Sequence, residues 1–133
     1  MKVIKPGKVI IMMHGRHAGK KGVVVQTTDK GTKNRAYGHA VVVGISQYPR
    51  KVHQRMSKKT LANRSRVKPF IRVVNHSHIL PTRYNMEILN ELKGKINLTT
   101  ETHRKETKKE VRSVLEDRYK SGRNQWFFHS LRF

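Results

Sequence analysis

The side chains with the widest chemical repertoire in this chain are its eight histidines, set among 30 Lys and Arg and only 8 Asp and Glu. His14 and His17 lie three apart, and His76 and His78 would share one face of an extended strand, spacings that invite a metal. Zinc needs a tetrahedral set, and no cysteine or neighbouring carboxylate completes either pair. The histidines are therefore read as stacking and hydrogen-bonding groups. The stretch Gly15-Arg16-His17-Ala18-Gly19-Lys20-Lys21 resembles a phosphate loop only loosely. A nucleotide-hydrolysing loop wants four residues before its Gly-Lys pair and then Ser or Thr for magnesium, and both requirements fail here. General acid–base catalysis usually needs carboxylates or a His oriented by one, and Asp29 is the only acid among the first 86 residues. An enzyme would have to use residues 87–117, where Glu106, Glu110, Glu116 and Asp117 instead stand at helix-pairing distances from Lys and Arg. No catalytic residue, metal site or cofactor is predicted.

What the composition supports is binding to a polyanion. Residues 1–86 carry 19 Lys and Arg against Asp29 alone, a formal charge of +18, while residues 87–133 carry eleven against seven acids, a charge of +4. Self-repulsion on that scale destabilises a free domain, so the chain is adapted to a surface that neutralises it. An anionic membrane would call for an amphipathic helix, and the basic body is instead broken by Gly and Pro. No run approaches the roughly 20 apolar residues of a membrane span, and the charged N-terminal residues lack a secretory pattern, so a soluble protein is expected. Without cysteine, disulfides and thiolate chemistry are excluded. Nucleic acid remains, bound through phosphates with a steep salt dependence.

The elements that must position these charges are mainly strands. Val9–Met13 is a β-branched run between Pro6-Gly7 and His14-Gly15, and Gly22–Thr28 is a second, so the glycine-rich stretch between them becomes a hairpin loop. A third strand is predicted over Tyr37–Ile45, a fourth over Phe70–Val74, and a short last one over Arg83–Ile88. With no crossover helix between the first pair, an antiparallel barrel is expected. Between the third and fourth strands, residues 49–68 contain eight Lys or Arg and no acid, with Ser57 placed to cap a short helical turn through about Asn63. Solvated faces usually mix both signs, so this segment is read as a nucleic-acid contact.

From Thr102 to Lys120 the pattern is helical, with Val111, Val114, Leu115 and Tyr119 on one face and Ser121-Gly122 as a stop. So narrow a stripe implies docking on the barrel or on a neighbouring protein, and the mixed charge makes the C-terminal third the protein-facing part. The ending Trp126-Phe127-Phe128 with Leu131-Arg132-Phe133 must stack on bases, bury itself against a partner, or pack on its own barrel. One compact unit with extensions is expected. Its parts are a barrel over residues 1–88, including the basic segment, and a linker, helix (about 102–120) and extended aromatic, basic tail over 89–133.

The candidate RNA-binding residues are Lys8, Arg16, His17, Lys20 and Lys21 around the hairpin, then Arg50, Lys51, His53, Arg55, Lys58, Lys59, Arg64, Arg66 and Lys68 in the basic segment. Arg83, Arg123, Trp126 and Arg132 complete the set. Arg and Lys would position the phosphate backbone, with His17, Tyr48, His53 or Trp126 stacking on unpaired bases.

The unit Pro6–Ile11, Gly15–Lys21 and Gly22–Val25 resembles the KOW motif, a strand–loop–strand unit of SH3-like barrels in ribosomal proteins and transcription factors. Four further blocks, Tyr48–Val52, Lys68–Asn75, His78–Tyr84 and the aromatic ending, extend the resemblance over nearly the whole chain. Together they are similar to the family of large-subunit protein twenty-seven of the eukaryotic cytoplasmic ribosome, with departures mainly over residues 85–110. That resemblance implies an SH3-like (KOW) barrel with a C-terminal helix, embedded in large-subunit rRNA beside other ribosomal proteins, with nucleolar assembly and no catalysis. It implies no small-molecule substrate and no homo-oligomer. The alternative is a KOW-domain regulatory adaptor that binds RNA or RNA polymerase outside the ribosome.

Overall fold

The first three strands of this protein bury side chains on both faces, and that explains why their apolar residues come in unbroken runs. The computed structural model describes residues 3–92 and 94–132. Five strands, β1 (Lys8–Met12), β2 (Lys21–Thr28), β3 (His39–Gln47), β4 (Lys68–Asn75) and β5 (Ile79–Asn85), form one antiparallel sheet in the order β4-β3-β2-β1-β5. Register shifts between Lys8 and Ile10, Val24 and Gln26, and Ile45 and Gln47 mark bulges. Bulges sharpen twist and bend, and here they curl the sheet into a small SH3-like barrel.

Side chains alternate across a strand. Ile10, Met12, Val24, Ala40, Val42, Phe70 and Ile79 therefore meet inside the barrel, closed by Ile4. Their neighbours Val9, Val23, Val43 and Ile45 face the other way, onto a second cluster with Met86, Ile88, Val111, Leu115, Phe127 and Phe128. The second cluster is built by the chain after β5: helix α2 (Leu89–Leu92), helix α3 (Glu101–Lys120) and the tail. The Thr100 side chain caps α3 by accepting from the His103 N–H at 3.2 Å. Thr107, the one buried polar residue of α3, accepts from the Asn97 N–H at 3.1 Å and has the carbonyls of Lys95 and Asn97 within reach of its single hydroxyl proton at 3.2 and 3.0 Å, and so fastens the preceding loop. Burying Val111, Val114 and Leu115 contributes about 1.5–3 kcal/mol each relative to leaving them exposed. Of the two surfaces open to the α3 stripe, the barrel takes it.

Strand and helix positions agree with the sequence pattern except at the last strand, which starts at Ile79 and not Arg83, and in the expected linker, which holds the short helix α2. The last strand ends at Asn85, and Met86 and Ile88 leave it to join the outer core. A 3-10 turn over His76–His78, capped by Asn75 accepting from the Ser77 N–H at 3.0 Å, separates β4 from β5. His76 and His78 therefore do not share a strand face. His76 is buried and pairs with Thr27 Oγ1 at 2.9 Å, while His78 is exposed against His14. The tail is not extended either: Phe127 N–H donates to the Asn124 carbonyl and Phe128 N–H to the Gln125 carbonyl, turning both rings into the core.

Candidate nucleic-acid interface

The loop between β1 and β2 holds itself in shape with backbone bonds, leaving its side chains free for other work. Gly15 and Gly19 have φ of 87° and 79°, a left-handed conformation that side chains disfavour. Gly19 N–H donates to the Met12 carbonyl at 2.7 Å and Ala18 N–H to that of Gly15 at 3.2 Å. The loop exposes Arg16 and lays His17 flat on Phe70, ring centroids 4.1 Å apart and planes within 5°. Phe70 itself lies across Gly44, where an added Cβ would fall 2.4 Å from the ring. Burial, followed by the charges of Arg72, Arg16, Lys20 and Lys108, holds His17 below the ordinary imidazole value, so it is neutral at pH 7.

Lys20 and Lys21 part company at the start of β2, because successive strand residues point to opposite sides. Lys20 is half-buried, with its ammonium 5.6 Å from the Tyr48 ring. Lys21 is 1% exposed. Its ammonium donates to the carbonyls of Trp126 and His129 and sits 3.8 Å over the Trp126 ring. Burial brings its pKa down to about 8. Lys21 is thus a correction to the sequence-derived set: it fastens the tail to the sheet and has no surface to offer RNA. Trp126 is engaged in the same seam, stacked on Tyr84 at 4.5 Å. Tyr48 likewise commits its hydroxyl to the Lys21 N–H at 2.8 Å, and burial raises its pKa.

The basic segment is ordered without a core. Helix α1 (Lys58–Arg64) has no buried residue, and the Ser57 side chain caps it by accepting from the Thr60 N–H at 3.3 Å. Arg50 N–H donates to the Arg64 carbonyl at 2.8 Å, and the Arg64 guanidinium donates to the Lys51 carbonyl at 3.0 Å, closing the segment on itself. Arg64 is half-buried by that bond, while Arg50, Lys51, His53, Arg55, Lys58, Lys59, Arg66 and Lys68 are exposed. Lys8 is half-buried on β1, and Arg83, Arg123 and Arg132 are exposed.

Two adjoining clefts of about 850 and 250 Å³ share Ile71, Arg72, Leu98 and Arg104. The larger adds Arg35, Tyr37, His14 and His78, and the smaller adds Arg16, His17, Phe70 and Lys108. Among the described residues no carboxylate lines either one. Of these cations only Arg16 belongs to the sequence-derived set. Arg72 carries a usable signal, being the one charge inside the apolar run Phe70–Val74. Arg104 and Lys108 are spaced four apart on one side of α3, but interleaved Glu residues mask them, and their convergence with Arg72 exists only in the fold. Three carboxylates of the C-terminal part are engaged elsewhere: Glu116 accepts from the Val67 N–H at 3.2 Å, Glu91 from Arg118 at 2.8 Å, and Glu110 faces Lys95 at 3.5 Å.

Among the described residues no helix is long and apolar enough to cross a membrane. The family model described as the ribosomal L27e protein family matches residues 9–133. The chain is 49% identical over 136 residues to large ribosomal subunit protein eL27A of Schizosaccharomyces pombe, covering 100% of this chain and 99% of that protein. It is 44% identical over 137 residues to large ribosomal subunit protein eL27 of Caenorhabditis elegans, covering 99% and 98%. Similarity to eL27B of Saccharomyces cerevisiae is 44% over 135 residues, again with 99% and 98% coverage.

Proposed function

The chain belongs to the ribosomal L27e protein family, and on that premise we propose that it is a structural constituent of the large subunit of the eukaryotic cytoplasmic ribosome. It binds rRNA and holds the RNA fold through assembly, which begins in the nucleolus, and through translation. The observation that carries the RNA contact is the segment from Pro49 to Lys68. Its seven exposed Lys and Arg surround a helix with no buried residue, and no acid interrupts them. Such an arrangement has little value to a free domain and much to one laid on phosphates.

The mechanism is positional. The barrel over residues 1–88 fixes where the hairpin loop and the basic segment stand relative to each other. The chain over 89–133 covers the outer sheet face and lends α3 to the same surface. Double-helical RNA hides its major groove, so the Arg and Lys side chains meet phosphates and 2′-hydroxyls, and stacking is reserved for unpaired bases. His53 is the one exposed ring of the basic segment placed for such stacking. Arg16, Lys20, Arg83, Arg123 and Arg132 extend the phosphate contacts beyond that segment. The chain acts as one copy among neighbouring ribosomal proteins, without a small-molecule substrate or cofactor.

Replacing Arg50, Lys51, Arg55, Lys58 and Lys59 together by Glu tests this. The variant is expected to keep its folded barrel by circular dichroism and to disappear from large subunits on sucrose gradients. Co-sedimentation at the wild-type level would remove the segment from the interface.

A further inference from the structure

Charge alone explains a surface that follows phosphates, but the smaller cleft has more than charge. Its floor is a ready-made stack, His17 lying parallel on a Phe70 that is 5% exposed. Its walls are Arg16 from the hairpin loop, Arg72 from β4, and Arg104 and Lys108 from α3. The Arg72 guanidinium reaches over the hairpin, 3.9 Å from where a Cβ on Gly15 would stand. Resting on the RNA-binding reading above, we infer that this cleft is a pocket for one unpaired nucleotide of RNA, its base on His17 and its phosphates among Arg72, Arg104 and Lys108.

Three features favour a nucleotide over an acidic peptide. An acidic side chain gains nothing from a flat aromatic floor, whereas base stacking on aromatic groups is a main source of single-strand affinity. At about 250 Å³ the cleft falls below the roughly 300–1,000 Å³ of drug-sized pockets, a size for one base and not for a helix. It also opens along Arg72 and Arg104 into the larger cleft, where Tyr37, His14 and Arg35 continue the alternation of rings and cations that a single strand follows. The neutral His17 suits stacking, since a bare imidazole gives up less hydration than an imidazolium when a base covers it. The C-terminal helix, though nearly balanced in charge, thereby becomes part of the RNA-facing surface.

The test is short-wave ultraviolet irradiation of native large subunits, followed by mass spectrometry of nucleotide adducts on this chain, alongside binding of the purified full chain to short single-stranded oligouridine. Adducts are expected on the peptides bearing His17 and Phe70. For the purified chain, Arg104→Gln with Lys108→Gln is expected to lower the log–log salt slope by about 1.4, two phosphates at about 0.7 each. His17→Ala is expected to weaken oligouridine about ten-fold with the slope unchanged, because it removes a stacking face and no charge. A control pair, Lys30→Gln with Lys33→Gln, should bind like wild type. If the chain is in the particle but its adducts all lie elsewhere, or Lys108 crosslinks to a neighbouring protein, the pocket is overturned and the ribosomal reading stands. Absence of the chain from large subunits would instead defeat the ribosomal reading. The oligouridine arm then decides the pocket alone, and wild-type binding by both cleft variants would overturn it.

Discussion

At the seam where the tail meets the sheet, one lysine is 1% exposed and bonded to two backbone carbonyls. In the segment from Pro49 to Lys68, by contrast, the cations surround a helix with no buried side chain, and the segment itself contains no acid. Lysine serves in both regions. The seam uses its cation to hold the fold together, and the basic segment uses the fold to hold its cations out. The difference lies in what covers the strand or helix that carries them: α3 and the tail lie over the outer sheet face where Lys21 emerges, and among the described residues none buries a side chain of α1. A basic run in a sequence is thus two populations, and only the topology sorts them.

Emptying the seam should produce the largest effect on stability. Phe127→Ala removes a fully buried ring from the outer core and is expected to cost about 3–5 kcal/mol in urea unfolding of the whole chain. A loss below about 1 kcal/mol would mean the tail is an appendage and not part of the core.

Lys21→Met comes next, at about 1–3 kcal/mol, because it takes the ammonium donor away from the carbonyls of Trp126 and His129. It also has a pH signature. Burial lowers the Lys21 pKa from 10.5 to about 8, so between those values the unfolded chain holds a proton that the folded chain has released. Unfolding then takes up protons, and stability attributable to Lys21 rises as pH climbs through that window. The neutral amine still has N–H groups for both carbonyls. The stability difference between wild type and Lys21→Met should accordingly widen from pH 8 to 10.5, and a difference that stays constant would break the assignment.

The basic segment should respond weakly and locally. Ser57→Ala is expected to cost about 1 kcal/mol of α1 stability, seen as faster amide exchange at Leu61 and Ser65, with the global unfolding midpoint unchanged. Leu61→Ser, at a residue 40% exposed, should fall within about 0.5 kcal/mol of wild type. If either variant unfolded the barrel, the segment would have a structural role equal to that of the seam, and the contrast between the two regions would vanish.

Much of the fold was legible because its signals are local. The β-branched runs at Val9 and Val23, the glycines of the hairpin loop, the Ser57 cap and the Val111–Leu115 stripe each announce an element without reference to the rest. The last strand was harder. Met86 and Ile88 continue the apolar pattern past Asn85, but they belong to a different core layer, and periodicity does not distinguish which layer an apolar residue joins. In the candidate interface, the exposed cations of residues 49–68 and Arg16 stand where a charge count would place them. Lys21 does not, since a count weighs it the same as Lys20 although strand alternation sends it inward. Arg72, Arg104 and Lys108 were missed because they are far apart in the chain and meet only when α3 lies along β4.

By itself the sequence determined where the charge lies: +18 over residues 1–86, with Asp29 the only acid there, and +4 over residues 87–133. That distribution along the chain is one no folding can alter. It also determined the β character, through runs whose period and branching fit a pleated surface. Tertiary structure alone decided that the aromatic tail closes the outer core, that Lys21 is a fastening and not a contact, and that a helix of nearly balanced charge completes a cleft with no acid in its walls. Each of those outcomes depends on which surfaces meet, and the packing of residues a hundred positions apart is not written in any local pattern of the chain.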